Sequence, residues 1–349
     1  MTIFNTGKCA VFGLGALLAS TAVVQAQTAE EFYTGKTVTM VVAAAPGGFA
    51  DTIARTFVTK FAQHFPGKPE FIVVNKPGAG GIVAAAQLQN TEAKDGTTIG
   101  FLLGNVLTTP LVTGQTAQFD PHNVQWIGSI RNGDYPYALY AKTDSDIQSA
   151  QDLFDKTLVV GSTSFTNYNR VFPALMNEYI GTQMDIVAGY QGSGEVYLAL
   201  ERDEVSGWME GSHAILNKTN KAGQMIDEGT LKPIMLMAKE TDERWPDLPI
   251  LEDYITDENQ RAVANFLMTS SASGRPIAVP AEVPAERVEA IRAAFDETFA
   301  DPEFVPYMQE MLSTPVVLSL SDDDLNGMIN DFYAASEETL EKVRGFMVD

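Results

Sequence analysis

A two-domain α/β protein with mostly parallel sheets is expected from three observations. Strand-like and helix-like runs alternate along the chain, the strands are near-continuously apolar, and glycine-rich turns join strands to the helices that follow. With 349 residues at roughly 150 per domain, about two domains are expected, and no low-complexity linker separates them. The chain therefore crosses between the domains more than once.

The first strand is Thr37-Val38-Thr39-Met40-Val41-Val42-Ala43, closed by Pro46-Gly47-Gly48. Ile53, Phe57, Phe61 and Phe65 then recur every fourth residue, the spacing of one helix face. Phe71-Ile72-Val73-Val74 is the second strand, ended by Asn75-Lys76-Pro77-Gly78-Ala79-Gly80-Gly81; an alanine-rich helix follows over 82–88 and a third strand over 98–103. Further strands are expected at 126–130, 137–141, 158–161, 185–188 and 234–237, with helices at 167–179 and 195–202. Val288, Ile291, Phe295 and Phe299 mark a late amphipathic helix with Pro284 at its start. Ser321 and Asp324 form a capping box opening one long helix that carries Leu325, Met328, Phe332, Leu340 and Val343.

Composition narrows the function. At 45% hydrophobic and 19% charged the chain can bury real cores, while a net charge of −22 disfavours nucleic acid and anionic membrane surfaces as partners. Lys8, the apolar run around Phe12, Leu14 and Leu17, and the small residues ending at Ala26 read as a secretory signal over 1–26. Cys9 lies inside it, so the mature chain has no cysteine and relies on ordinary cores.

The chemistry points to binding. In Ala45-Pro46-Gly47-Gly48-Phe49-Ala50-Asp51 a strand turns tightly into a helix, whose first N–H groups lack partners and carry about half a positive charge. Asn75 to Gly81 repeats the arrangement one unit later, and in an open parallel sheet such loops gather at the carboxyl edge, where ligands bind. Gly78-Ala79-Gly80-Gly81-Ile82-Val83 departs from a dinucleotide fingerprint at Val83, and Gly35-Lys36-Thr37 precedes a strand instead of a helix. His64, His122 and His213 are dispersed, and no Gly-x-Ser-x-Gly elbow occurs, so no cofactor, metal or catalytic set is expected. The acidic pairs Asp203/Glu204 and Asp322/Asp323 read as solvated helix faces, although a secreted α/β hydrolase or lyase using clustered carboxylates is the rival reading.

Together these residues resemble the extracytoplasmic solute receptors of tripartite tricarboxylate transporters, the Bug receptors. The resemblance rests on Tyr33-Thr34-Gly35-Lys36, on Pro46-Gly47-Gly48 with Asp51 and Arg55, and on Asn75 to Gly81 with Asp95-Gly96 beyond. Late in the chain it adds Pro280, Val283-Pro284-Ala285-Glu286-Arg287-Val288, Phe295 and Asp301-Pro302-Glu303-Phe304. It implies a two-lobed periplasmic-binding-protein-like fold with a central cleft: lobe 1 from 27–128 plus 265–349, lobe 2 from 129–264. It further implies a non-enzymatic periplasmic monomer that captures a small carboxylate and delivers it to one large and one small integral membrane subunit. A signalling co-receptor is a weaker alternative.

Carried onto this chain, the ligand contacts fall on Gly48, Phe49, Ala50 and Asp51 in the first lobe, with Asn105 after the third strand. In the second lobe they fall on Ser162, Thr163, Ser164, Thr166 and Asn167, and on Gln191 and Gly192 within Gly189 to Gly194. Asp51 and Glu195 have helix capping as the competing role. Tyr135, Tyr168 and Tyr190 are candidates for stacking, and Glu210 for either the cleft or a solvated turn. Phe49-Ala50 is apolar where the family usually has small polar residues; with the tyrosines it suggests a solute with an apolar or aromatic body.

Overall fold

The computed structural model describes residues 1–2, 27–114, 118–131, 136–212, 221–243, 245–312 and 317–347. The expected signal over 1–26 lies outside the described residues except for its first two, as do Tyr135 and His213.

Two sheets organise the molecule. The first has six strands in the order β11-β4-β10-β3-β1-β2, and the second has five in the order β7-β6-β8-β5-β9. The first-sheet strands are β1 (Thr37–Val42), β2 (Glu70–Asn75), β3 (Thr98–Phe101), β4 (Val124–Arg131), β10 (Arg275–Pro280) and β11 (Leu318–Ser321). The second holds β5 (Tyr137–Lys142), β6 (Leu158–Ser162), β7 (Met184–Ala188), β8 (Gly207–Gly211) and β9 (Leu231–Met237). β1 pairs in parallel with β2 and β3, and β6 with β7 and β8. β10 runs antiparallel to β3 and β4, and β5 antiparallel to β8 and β9. The sheets are thus mixed, and each antiparallel strand begins at the edge where its parallel neighbours end.

Both faces of each sheet are covered, which is why the strands read as continuous apolar runs. On the first sheet, Val38, Met40 and Val42 pack under α2 (Phe49–His64), α9 (Ala285–Ala300) and α10 (Phe304–Leu312). Val41, Ala43 and Trp126 face α3 (Ile82–Asn90) and α11 (Asp322–Tyr333) on the other side. In β5, Leu139 and Ala141 join a core with α5 (Tyr168–Ile180) and α8 (Glu258–Ser271), while Ala138 and Tyr140 meet α6 (Ser193–Glu201) and α7 (Lys221–Asp227). A short α1 (Ala29–Tyr33) packs on the first core, and α4 (Thr109–Thr113) sends Val112 into the second.

The capping box at Ser321 is present, with its hydroxyl accepting from the Asp324 N–H. The single long helix expected after it is two helices: α11 stops at Tyr333, and Ser336 caps a separate α12 (Glu337–Phe346). The cap gives the new N-terminus an acceptor for the Thr339 N–H, so the chain turns at little cost. The segment containing α12 was expected with the first lobe; Leu340, Val343 and Phe346 pack in the core of the second sheet.

Candidate functional site

Between the sheets lies a cleft of about 760 Å³. Three of the helices opening onto it have an N-cap residue that makes no side-chain capping bond: Gly48 before α2, Asn167 before α5 and Gly192 before α6. All three caps line the cleft, so helix starts from both sheets direct partial positive charge into one space.

Of the residues picked from sequence, Gly48, Phe49, Ala50, Asn105, Thr163, Ser164, Asn167, Gln191 and Gly192 line this cleft. Asp51, Ser162 and Thr166 do not. Asp51 is buried and its carboxylate is occupied: it accepts from the Gly47 N–H, from Arg55 Nε and from Asn75 Nδ2, each at 2.9 Å. Burial alone would raise its pKa, but these three donors outweigh that and hold it below the usual carboxylate value. Ser162 is inside the loop, donating to Asn169 Oδ1 at 3.1 Å. Asn105 gives its amide to the Gly80 carbonyl at 2.9 Å, which fixes the second glycine-rich loop against the end of β3.

The two sheets' loops touch across the mouth. A Cβ added at Gly80, whose φ is +63°, would lie 2.5 Å from Thr166 Oγ1 and 3.0 Å from Ser164 Oγ. Both hydroxyls are buried there without a hydrogen-bond partner among the described residues. A Cβ at Gly192 would come within 3.1 Å of Ala45 Cβ. Such contacts define a closed arrangement in which glycine permits the approach.

Tyr168 and Tyr190 both line the cleft. The Tyr168 hydroxyl is 2.5 Å from Ser270 Oγ, which is 3.0 Å from the Thr108 hydroxyl, a buried chain joining α5 to α8 and to the turn after β3. Glu195 folds back so that its carboxylate accepts from the Gln191 N–H at 2.7 Å, as Asp51 does from Gly47. Glu210 lines the cleft from β8 and accepts from the Tyr197 hydroxyl at 2.7 Å and Trp208 Nε1 at 3.1 Å.

Sequence reasoning missed Asn169, Arg131, Arg275 and the segment 237–242, all on the cleft wall. Asn169 binds both Ser162 and Thr163 and so shapes the loop before α5; it sits just inside a helix, where an asparagine carries little sequence signal. Arg131 ends β4 and Arg275 begins β10. The strand of Arg275 was invisible to pattern because Pro276 and Pro280 interrupt it, whereas the strand expected at 126–130 stops one residue short of Arg131. The acidic pairs Asp203/Glu204 and Asp322/Asp323 do not line the cleft. Among the described residues no group of three or more histidine, cysteine, aspartate or glutamate side chains is placed to hold a metal ion.

Two α/β lobes closing on a cleft ringed by helix starts define a solute-binding protein of the periplasmic type. Residues 53–344 match the model of the tripartite tricarboxylate transporter family receptor, and the chain belongs to that family of solute-binding receptors. A search of curated proteins finds no match. Among solved structures, the chain resembles MatC from Rhodopseudomonas palustris with bound malate, at 19% identity and a TM-score of 0.66, covering 88% of this chain and 99% of that one. It also resembles an R. palustris protein with adipate, at 17% identity and a TM-score of 0.68, covering 89% and 97%. The periplasmic binding protein BugD is similar at 17% identity and a TM-score of 0.65, covering 86% and 96%. At these identities the likeness shows the shared fold.

Proposed function

We propose that the protein is a periplasmic receptor that captures a small organic acid, a di- or tricarboxylate or an aromatic carboxylate, and delivers it to a tripartite transporter. One observation carries this: the starts of α2, α5 and α6, from both lobes, open on one closed cleft without side-chain caps. Each charge-assisted hydrogen bond to such an N–H contributes roughly 1.5–3 kcal/mol, and a micromolar affinity needs about 8. A few of them suffice. The net charge of −22 does not oppose this, because exposed charges beyond about 8–10 Å are screened while the amides act at contact distance.

The bound malate and adipate of the two similar structures support a carboxylate as the solute class. Phe49, Leu103, Met237 and the tyrosines leave part of the wall apolar, which suits a solute with a carbon body between its charges. In this reading the receptor works as a monomer that presents its closed lobes to one large and one small membrane subunit. Calorimetric titration with malate, adipate and citrate, paired with small-angle scattering, tests the proposal. Saturable binding with compaction and no turnover is expected; product formation abolished by a single Asp or Glu substitution would overturn it in favour of a hydrolase or lyase.

A further inference from the structure

Arg275 and Tyr137 occupy corresponding places in the two lobes. Each is the first residue of an antiparallel strand entered directly after a crossing between the sheets, and each therefore lies at the cleft edge. β10 pairs Ile277 with Phe101 at the end of β3, so Arg275 projects two residues further, beside Leu103 and the loops of the site. In the second sheet Tyr137 pairs with Gly211 and Met237, the last residues of β8 and β9. Arg275 and Tyr137 both line the cleft.

Among the described residues the arginine has no counter-ion. The chain carries 45 acidic residues, yet among the described residues none makes an ion pair with Arg275. Among the described residues its only hydrogen bond to a carbonyl runs from Nη1 to Gly274 at 3.1 Å, and its buried Nε has no partner there. Glu210, the buried carboxylate on the same wall, is instead engaged by Tyr197 and Trp208. A guanidinium taken partly out of water without an anion is costly, and its planar fork matches a carboxylate in two-point geometry.

We propose that Arg275 is a specificity-determining residue that binds a second carboxylate of the solute, so that the receptor selects dicarboxylates over monoacids of the same length. This rests on the carboxylate-receptor reading: one carboxylate sits on the helix starts, and the other on Arg275, in the cleft that Tyr137 also lines.

The test is a set of calorimetric titrations of the full mature protein with adipate and with hexanoate, which differ by one carboxylate. Wild type, Arg275→Gln and Arg275→Lys are compared, and thermal unfolding checks that each variant is folded. Wild type is expected to prefer adipate, and Arg275→Gln to lose about 10- to 100-fold for adipate while leaving hexanoate unchanged. Arg275→Lys is expected to recover part of the loss, since it keeps the charge and loses the fork. Equal losses for both acids, or none for either, would overturn the role of Arg275 while leaving the receptor intact. A wild-type protein that binds no carboxylate at all would overturn the receptor reading itself.

Discussion

The Asp51 carboxylate accepts a 2.9 Å hydrogen bond from Asn75 Nδ2 and so ties together the two glycine-rich loops that follow β1 and β2. The same carboxylate holds the Gly47 N–H, and Asn75 also donates to the Ala44 carbonyl at 3.0 Å. Asp51→Ala would strand these donors in a buried place, and a loss of about 1–3 kcal/mol in stability to urea is expected. The pH dependence has a definite sign. Because the folded pKa lies below that of the unfolded chain, the contribution is complete above about pH 3.9 and falls away as pH drops through the folded value. The stability gap between wild type and Asp51→Asn is therefore expected to be constant from pH 7 to about 5 and to close below about pH 4. A gap that widened in acid would contradict the assignment.

Glu195 makes the equivalent bond to the Gln191 N–H in the second lobe, but it is exposed. Water can replace it. Glu195→Ala is expected to cost about 0.5–1 kcal/mol, less than Asp51→Ala in the same urea titration. Equal costs would mean that burial is not what separates the two acids.

Gly80 meets the loop before α5 at the closed mouth. Gly80→Ala adds a Cβ that clashes with Thr166 Oγ1 and Ser164 Oγ from the opposite lobe, and its φ of +63° is strained for alanine. The clash with Thr166 and Ser164 exists only when the lobes are together, whereas the 3.1 Å approach of the same Cβ to Asn105 Nδ2 lies within the first lobe. Affinity for a carboxylate should fall at least tenfold, with a radius of gyration that stays at the open value in small-angle scattering. Wild-type compaction in this variant would show that the mouth closes differently.

Ser270 stands between Tyr168 and Thr108, at 2.5 and 3.0 Å. Ser270→Ala removes the shared partner of two buried hydroxyls, and a destabilisation of about 1–3 kcal/mol is expected from thermal or urea unfolding. Ser270→Thr retains a hydroxyl and should recover most of it if the methyl is accommodated.

Much of this architecture was legible in the sequence because the strands are covered on both faces. Apolar runs such as Thr37–Val42 and Leu158–Ser162 announce themselves, and glycine before a helix marks the loops opening α2, α3 and α6. What escaped was set by tertiary context. β8, Gly-Trp-Met-Glu-Gly, carries two glycines and a charge, and β11 is a short edge strand with exposed residues. The break between α11 and α12 leaves the apolar spacing almost undisturbed, so only the cap at Ser336 betrays it. Arg275 was invisible for another reason: an isolated arginine acquires meaning only when an antiparallel strand brings it to the edge where parallel strands end.

The central claim is that backbone amides at helix starts, drawn from both lobes, grip the solute. A crystal structure of the mature protein with bound adipate tests it most directly. Carboxylate oxygens within about 3.2 Å of backbone N–H groups at the starts of α2, α5 or α6 are predicted. Adipate held outside the cleft, or inside it by side chains alone with those amides facing empty space, would contradict the account.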